Sequence, residues 1–578
     1  MLKEYGLASL LCCLFAGLLY TTVQTTRDAM WSGQLLYVQI VVAVIGVLAA
    51  AASIVGKVRL RLTATDAVAA IWLAYVMLRT YVDASDYPSC RLVTEYTTLA
   101  AVYFVVRVVS MLCGNGVLVA RVLSGTLMLG TMYELLLGLW QIYSGTSLHS
   151  LYPATGSLFN PGPYAAYIVV GMSVAIVILH DSHDDDWRMP KRASLLWPCV
   201  AVLAIGCFML AVTRSRSAVV ALAIAAAWTC RRKIGSRYLV VASVACVAAG
   251  VVLFYLKMGS AMGRTVIWQQ VLDMVAGAPL FGSGIGSFAG EYGSHAPLFF
   301  SGSSHVSQLA QYADVTDYAF CDILQVFAEQ GICGGLLCIA FVLLSLRGLL
   351  RMSRGLGVAF ASLLVFSLFS YPLQLLPLQT LAVCLAASGQ TGERGMSVSR
   401  WGGACVTLTG VAVAVCCYTV SKPRVAAQDE YSSVRGMTHS TFVDDYWRLW
   451  PLCSDNKRYV FDFARLLQAN GRHLDACAIL RHGTHISNDP MFWVLMGNSH
   501  RSMHEYGLAA SCYDRAYAML PNRMYPLYRK MLLYRDTGSA DKACAVARQL
   551  TLMRPKVESE ATRKMHAEAV GLLRAAGR

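Results

Sequence analysis

From residue 1 to about residue 421 the chain repeats one pattern: an apolar run of roughly 17–25 residues, a short polar stretch, then another apolar run. Each run is about long enough for an α-helix to cross ~30 Å of hydrocarbon. The pattern predicts about thirteen spans, at 5–20, 34–55, 65–82, 94–113, 117–140, 162–180, 194–213, 217–231, 238–256, 321–346, 356–371, 373–389 and 403–420. At Pro372 the stretch "SYPLQLLPLQ" reads either as a division between two spans or as one kinked segment. The last ~150 residues are polar and charged with a helical period. The expected organisation is therefore an all-α, polytopic membrane domain over 1–421, a linker over 422–440 and a soluble helical unit over 441–578.

Composition agrees with that division. The chain is 56% hydrophobic and 14% charged, against about a quarter charged in soluble proteins. Its 19 cysteines lie mostly inside apolar runs, where cysteine behaves as a small hydrophobe. No CxxC pair or Cys/His cluster has zinc-ligand spacing, so no metal site is expected. The net charge of +15 fits the basic bias of membrane-protein loops. No basic stretch is interleaved with stacking aromatics, so nucleic acid is not an expected partner. "MLKEYGLASLLCCLFAGLLY" has the look of a signal peptide but lacks a clear small-residue cleavage site, and further spans follow; it reads as the first span.

With the N-terminus inside, the cytoplasmic loops hold Lys57, Arg59, Arg61, Arg188, Lys191, Arg192, Arg231, Arg232, Lys233, Arg237, Arg347, Arg351, Arg354, Arg394 and Arg400. That orientation satisfies the positive-inside bias. It places "TRSRSAVV" (213–220), the long segment 257–317 and the C-terminal unit outside, which in a bacterium is the periplasm. Arg214 and Arg216 then sit at an outer mouth, where a topological anchor is not needed. A cation held there suits an anionic partner at headgroup depth.

The outer segment contains "GRTVIWQQVLDMVAGAPLFGSGIGSFAGEYG" (263–293). Its centre has helical spacing, then breaks at glycines 282, 284 and 286. The glycine run follows a helix rather than a strand and lacks the GxGxxG or P-loop spacing, so it is not a nucleotide loop. "DYAFCDILQVFAEQGICGGLLCIAFVLL" (317–344) then enters the next span. In this order, "TGSLFNPGPYAAYIVV", "TRSRSAVVAL", "RxxxWQxxLxxxxxxPLFGSGIGSF" and "LQVFAEQGICGGL" resemble the motifs of the O-antigen ligase, O-antigen polymerase and O-oligosaccharyltransferase superfamily. The resemblance covers about residues 130–390.

The resemblance implies an all-helical membrane glycosyltransferase with a large periplasmic loop, needing neither metal nor nucleotide. The donor would be a glycan on undecaprenyl pyrophosphate. The acceptor would be a lipid A core sugar, a growing glycan or a protein hydroxyl. Arg216 matches the arginine of the serine-arginine motif and Arg264 the loop arginine, with Arg214 assisting. Arginine suits the task because it is always charged and grips phosphate oxygens in pairs; a solvated loop charge is the plain alternative for Arg264. The family's usual His-Asn pair falls on Phe320 and Cys321, which leaves the general base unassigned. Asp314, Asp317, Asp322 and Glu329 are the nearby acids. Asp322 and Glu329 read as site members that bind sugar hydroxyls or orient an arginine, and Asp314 and Asp317 as substrate contacts. Asp322 equally fits an acid at a helix N-terminus, and Glu329, two turns deeper, requires a partner. His295 and His305 read as ordinary loop residues. Asn160 and Pro161 cap and start a helix, with Asn160 a possible substrate contact.

In the C-terminal unit, "FWVLMGNSHRSMHEYGLAASCYDRAYAMLPN" (492–522) fits the tetratricopeptide pattern at Trp493, Gly497, Ala509, Tyr513, Ala516 and Pro521. A second unit about 34 residues on supplies Ala543, Ala547 and Pro555, and a degenerate one precedes at 459–483. Such helix pairs stack into a surface that docks a partner protein, aids the acceptor's approach, or caps the membrane domain. The rival reading of the whole chain is a polytopic transporter. Transporters place charges and broken helices near the midplane, and the nearest cases here are Glu134 and Arg107.

Overall fold

The computed structural model describes residues 2–19, 30–56, 60–82, 90–182, 193–231, 258–302, 309–391, 395–397 and 401–577. Within the expected membrane region the helices are α1 (Leu2–Leu19), α2 (Met30–Gly56), α3 (Ala64–Val82), α4 (Cys90–Cys113), α5 (Gly116–Ser144), α6 (Pro161–Asp181), α7 (Ala193–Thr213), α8 (Arg216–Cys230), α9 (Met258–Gly277), α10 (Phe288–Phe300), α11 (Asp322–Met352), α12 (Arg354–Ser367), α13 (Leu376–Ser388) and α14 (Gly402–Val434). Among the described residues strand is confined to β1 (Arg61–Leu62), paired antiparallel with β2 (Met396–Ser397). The expected span 238–256 lies outside the described residues, as do His305 and the loop residues Lys57, Arg59, Arg188, Lys191, Arg192, Arg232, Lys233, Arg237, Arg394 and Arg400.

Every other expected apolar run is a helix. Among the described residues α2, α4, α5, α6, α7, α11 and α14 are long and apolar enough to cross a membrane. Their outward faces carry exposed apolar side chains, among them Val47, Leu129, Phe208, Leu336 and Leu343. So much exposed apolar surface is tolerable in lipid and a liability in water. The chain is an all-α polytopic membrane protein. α6 is the hub: Ala165, Ala166, Ile168, Val169 and Val170 are fully buried, and α5, α7, α8 and α12 pack around it.

The expected spans in α1, α3, α8, α12 and α13 are not among the described helices long and apolar enough to cross. α12 and α13 are 14 and 13 residues long, ~20 Å at 1.5 Å per residue. Neither crosses ~30 Å alone. Between them Pro372 starts a short 3₁₀ turn, Pro372–Gln374, because a ring without an N–H is best accommodated at the start of a turn. Tyr371 stands at this break.

The charges inside the bundle have structural partners. Arg107 pairs with Asp66 at 3.0 Å, both 2% exposed. Glu134 accepts hydrogen bonds from the Ser157 N–H at 3.0 Å and the Ser157 hydroxyl. Gln141, two turns along α5, accepts from the Thr155 and Gly156 N–H groups at 2.9 Å each and donates to the Gly156 carbonyl at 2.8 Å. These two side chains fix the 155–157 turn, which delivers Phe159 and Asn160 to the start of α6.

α14 does not end at residue 421. It continues through residues 422–434, the stretch read from sequence as linker. Contacts with the C-terminal unit hold this extension helical. Arg424 pairs with Asp455 at 3.1 Å, and the buried Tyr431 donates to Asp462 at 2.7 Å. The unit itself consists of α15 (Val443–Cys453), α16 (Lys457–Ala469), α17 (His473–Ile486), α18 (Met491–Ser502), α19 (Tyr506–Met519), α20 (Met524–Asp536), α21 (Ala540–Leu552) and α22 (Glu560–Ala575). α16–α17, α18–α19 and α20–α21 form successive packed pairs. A Cβ at Gly497 would meet the Tyr513 ring at 2.6 Å, so glycine there permits the close crossing of α18 and α19. Tyr431 joins Tyr446, Tyr459 and Phe463 in an aromatic core. Tyr431→Ala is expected to cost about 3–5 kcal/mol, read as faster protease cleavage between α14 and α16.

Candidate active site

Three helices begin at one end of the bundle with the same local geometry. Phe159, Arg214 and Phe320 have φ of 57°, 51° and 53°. Each lies two residues before a helix start: Pro161 of α6, Arg216 of α8 and Asp322 of α11. A left-handed non-glycine residue costs of order 1–3 kcal/mol and persists where surroundings dictate it. Here it lets the chain reverse sharply into a helix, bringing positively polarised N-termini towards a common region. Asn160 caps α6 through the Gly162 N–H at 3.0 Å.

Between these ends lie the two arginines. Arg264, on α9, stands over the Phe320 ring at 5.3 Å. Burial first, then the charge of Arg216, push its pKa down from the ordinary value, opposed in part by Tyr371; it stays cationic at neutral pH. Among the described residues no carboxylate pairs with Arg264. Arg216 occupies the first turn of α8, part-buried, while Arg214 is exposed. Two mutually repelling cations, partly removed from water beside helix N-termini, form a site that an anion would stabilise.

An aromatic wall supports them. The Tyr371 ring stacks on Tyr318 at 4.4 Å and meets Phe320 edge-on at 5.1 Å. Its hydroxyl accepts from the Asn160 side-chain amide at 2.9 Å. The Trp268 indole N–H, one turn from Arg264, donates to the Ala319 carbonyl at 3.0 Å. The hydroxyl proton of Tyr371 is thus free to be donated beside the arginines. Tyr371→Phe is expected to lower activity about tenfold at unchanged protein level, in line with the loss of one hydrogen bond to a charged group; the check is a rate measurement on purified protein.

The acids expected at the site are placed around it rather than in it. Asp322 is the first helical residue of α11; its oxygens accept from the Leu373 N–H at 3.0 Å and the Gln374 amide at 3.3 Å. It ties down the turn that follows Tyr371. Glu329 accepts from the Gly286 N–H and the Gln325 side chain, each at 3.0 Å, and Gln325 in turn accepts from the Ala319 N–H at 3.2 Å. Both carboxylates therefore position neighbours of the arginines. Asp314 and Asp317 point the other way, into the C-terminal unit. Asp314 pairs with Arg523 at 3.0 Å and Lys556 at 2.9 Å. Despite burial, which acts in the opposite sense, Lys556, the Val315 N–H and Arg523 hold its carboxyl below the usual range. Asp317 pairs with Lys457. His295 bonds back to the Glu291 carbonyl of its own helix at 3.0 Å.

The glycine run and "AEQG" form one structural device. At Gly331, φ 64° and ψ −167° break α11. The backbone groups freed by the break are satisfied by the 279–284 loop: Ser283 N–H to Ala328 O at 2.9 Å, Gly284 N–H to Glu329 O at 3.0 Å, Ile332 N–H to Pro279 O at 2.8 Å and Cys333 N–H to Leu280 O at 3.2 Å. The Tyr75 hydroxyl takes the Gln330 carbonyl at 2.6 Å. These residues join the loop to α11, the helix that begins just after Phe320.

Beside this region an apolar cavity of about 460 Å³ opens among α3, α4, α11, α12 and α13. Trp72, Tyr96, Phe104, Val326 and Leu364 line it, and Asp322 and Gln374 stand at its polar end. Sequence reasoning passed over Tyr371 and Tyr318. The available signal was the doubly proline-broken apolar run "SYPLQLLPLQ", since broken helices next to a polar loop often line a site.

The O-antigen ligase family model matches residues 199–339. The matched stretch runs from α7 into α11, so it contains Arg216, Arg264, the glycine loop, Phe320 and Glu329. Over that stretch the chain is similar to O-antigen ligases, which supports a ligase-like, glycan-transferring function in a multi-pass membrane protein. A search of curated proteins finds no match to the chain.

Proposed function

We propose that the chain transfers a glycan from undecaprenyl pyrophosphate to an acceptor hydroxyl at the periplasmic face of the bacterial inner membrane, in the manner of an O-antigen ligase and without metal or nucleotide. The observation that carries this reading is the Arg216–Arg264 pair at three converging helix starts. In the reaction the acceptor oxygen bonds to the anomeric carbon as the sugar–phosphate bond breaks. The electron pair leaves with the pyrophosphate. Arg216 and Arg264 neutralise the charge that grows there, an interaction strengthened by partial exclusion of water. Tyr371 donates to a phosphate oxygen, and Asn160 holds Tyr371. Phe320 cannot take the acceptor's proton, which departs with the pyrophosphate. The apolar cavity suits the polyprenyl chain. Glu134 and Arg107, locked by structural partners, speak against transport through the bundle.

The test is a reconstituted reaction with a lipid pyrophosphate-linked glycan and candidate acceptors, analysed by mass spectrometry. Glycan appearing on a lipid A core supports the ligase reading. A lengthened donor glycan points to a polymerase, and glycosylated serine or threonine to a protein transferase. If the donor is never consumed with any acceptor, the transferase reading fails.

A further inference from the structure

The segment before Phe320 is held chiefly from outside the membrane domain. Residues 309–317 contain one short 3₁₀ turn, closed by Ala313 N–H to Ala310 O at 3.0 Å. The Asn522 side-chain amide donates to the Ala310 and Ala313 carbonyls at 2.8 and 2.9 Å. The Lys556 ammonium also reaches the Ala313 carbonyl at 2.9 Å, and the Asn488 amide donates to the Thr316 carbonyl. Asn488 and Asn522 are 3% and 8% exposed, so these bonds form away from solvent competition. Asp314 and Asp317 add ion pairs to Arg523, Lys556 and Lys457.

The grip passes directly to the site. The Thr316 hydroxyl donates to the Tyr318 carbonyl at 2.7 Å. Tyr318 stacks on Tyr371, and Phe320 follows two residues later beneath Arg264. A second connection is apolar: Val266, two residues from Arg264, shares a buried cluster with Ala296, Phe300, Ala310, Ala313, Met519 and Leu520. Helix α10 lies flat on the same unit, since a Cβ at Gly290 would come within 1.9 Å of the His485 carbonyl oxygen.

We infer that the C-terminal helical unit is a positioning part of the transfer site, with Asn488 and Asn522 as positioning residues that set Tyr318 and Phe320 through the 310–317 segment. This rests on the transferase reading above. The unit does not touch the reacting atoms. It fixes the wall that the arginines and Tyr371 work against, so loosening it misplaces that wall without removing the pyrophosphate grip. Small misplacements of this kind are costly to rate.

The test uses the full chain in lipid nanodiscs, with undecaprenyl pyrophosphate as the binding probe and the glycan-linked donor for turnover. Asn522→Ala is expected to lower kcat at least tenfold while undecaprenyl pyrophosphate affinity changes less than twofold. Asp317→Lys, which sets two lysines together, is expected to slow turnover several-fold, and adding Lys457→Asp to restore it. Restoration by exchanged charges identifies the contact itself, and both exchanged residues are surface groups whose replacement leaves the core packed. Normal kcat in Asn522→Ala, or failure of the charge exchange to restore rate, overturns the inference while leaving the transferase reading intact. Absence of turnover in the unaltered chain overturns the reading on which it rests.

Discussion

Arg264→Ala lowers glycan transfer at least a hundredfold, and Arg216→Ala does the same, with the chain still folded in the membrane. The magnitude follows from removing one fixed charge that stabilises a developing anion, about 3–4 kcal/mol in a water-poor site. Neither change should unfold the protein. Burial and the charge of Arg216 disfavour the Arg264 cation, so the fold is relieved, rather than strained, by its loss. The two effects should be far from additive, because both residues grip one pyrophosphate. Lysine should rescue poorly at either position, since it cannot bind two phosphate oxygens through a planar fork. The measurement is initial rate on purified protein, with amount and folding checked by chromatography. Arg214→Ala, by contrast, removes an exposed charge and should cost less than tenfold.

Gly331→Ala is the second large effect, and it acts by a different route. Gly331 has φ 64°, and a Cβ there would come within 2.4 Å of the Leu280 backbone. The clash is with main chain, so no rotamer change relieves it. The φ alone costs ~1–2 kcal/mol for a non-glycine residue. Separating the loop from the kink strands four backbone hydrogen bonds at ~1–3 kcal/mol per buried unsatisfied group. Total loss of folded protein is therefore expected, measured as absence of a monodisperse species after extraction. Gly282→Ala should behave alike, as its Cβ would meet the Glu329 backbone at 2.4 Å. Gly286→Ala should be milder, because its Cβ meets the side chain of Leu92, which can move.

These contrasts show what the sequence carried and where it stopped. Spans of apolar residues are legible because lipid demands length and apolarity and little else. The helix starts at Asn160–Pro161 and Asp322 are legible because a cap, a proline and a first-turn acid are local signals. The glycine run could be read as irregular backbone, but its partner lies some forty residues away in "AEQG" and only the fold brings them together. Asp314 and Asp317 looked like site acids because they stand near Phe320 in sequence; their ion pairs with Arg523, Lys556 and Lys457 are non-local. Residues 422–434 read as linker because they are polar, and became helix because Tyr431 and Arg424 find partners on the C-terminal unit. Tyr371 was hidden inside an ambiguous break. Periodicity reports which residues are buried together in one element, while a site is assembled from the ends of several.

The central claim is that Arg216 and Arg264 together hold a lipid pyrophosphate. Its most direct test is equilibrium binding of undecaprenyl pyrophosphate, undecaprenyl phosphate and undecaprenol to the full chain in nanodiscs, with and without the double change Arg216→Ala and Arg264→Ala. The account predicts tightest binding of the pyrophosphate and a loss of at least a hundredfold in the double variant, with undecaprenol unaffected. Equal pyrophosphate affinity in the two proteins would contradict it.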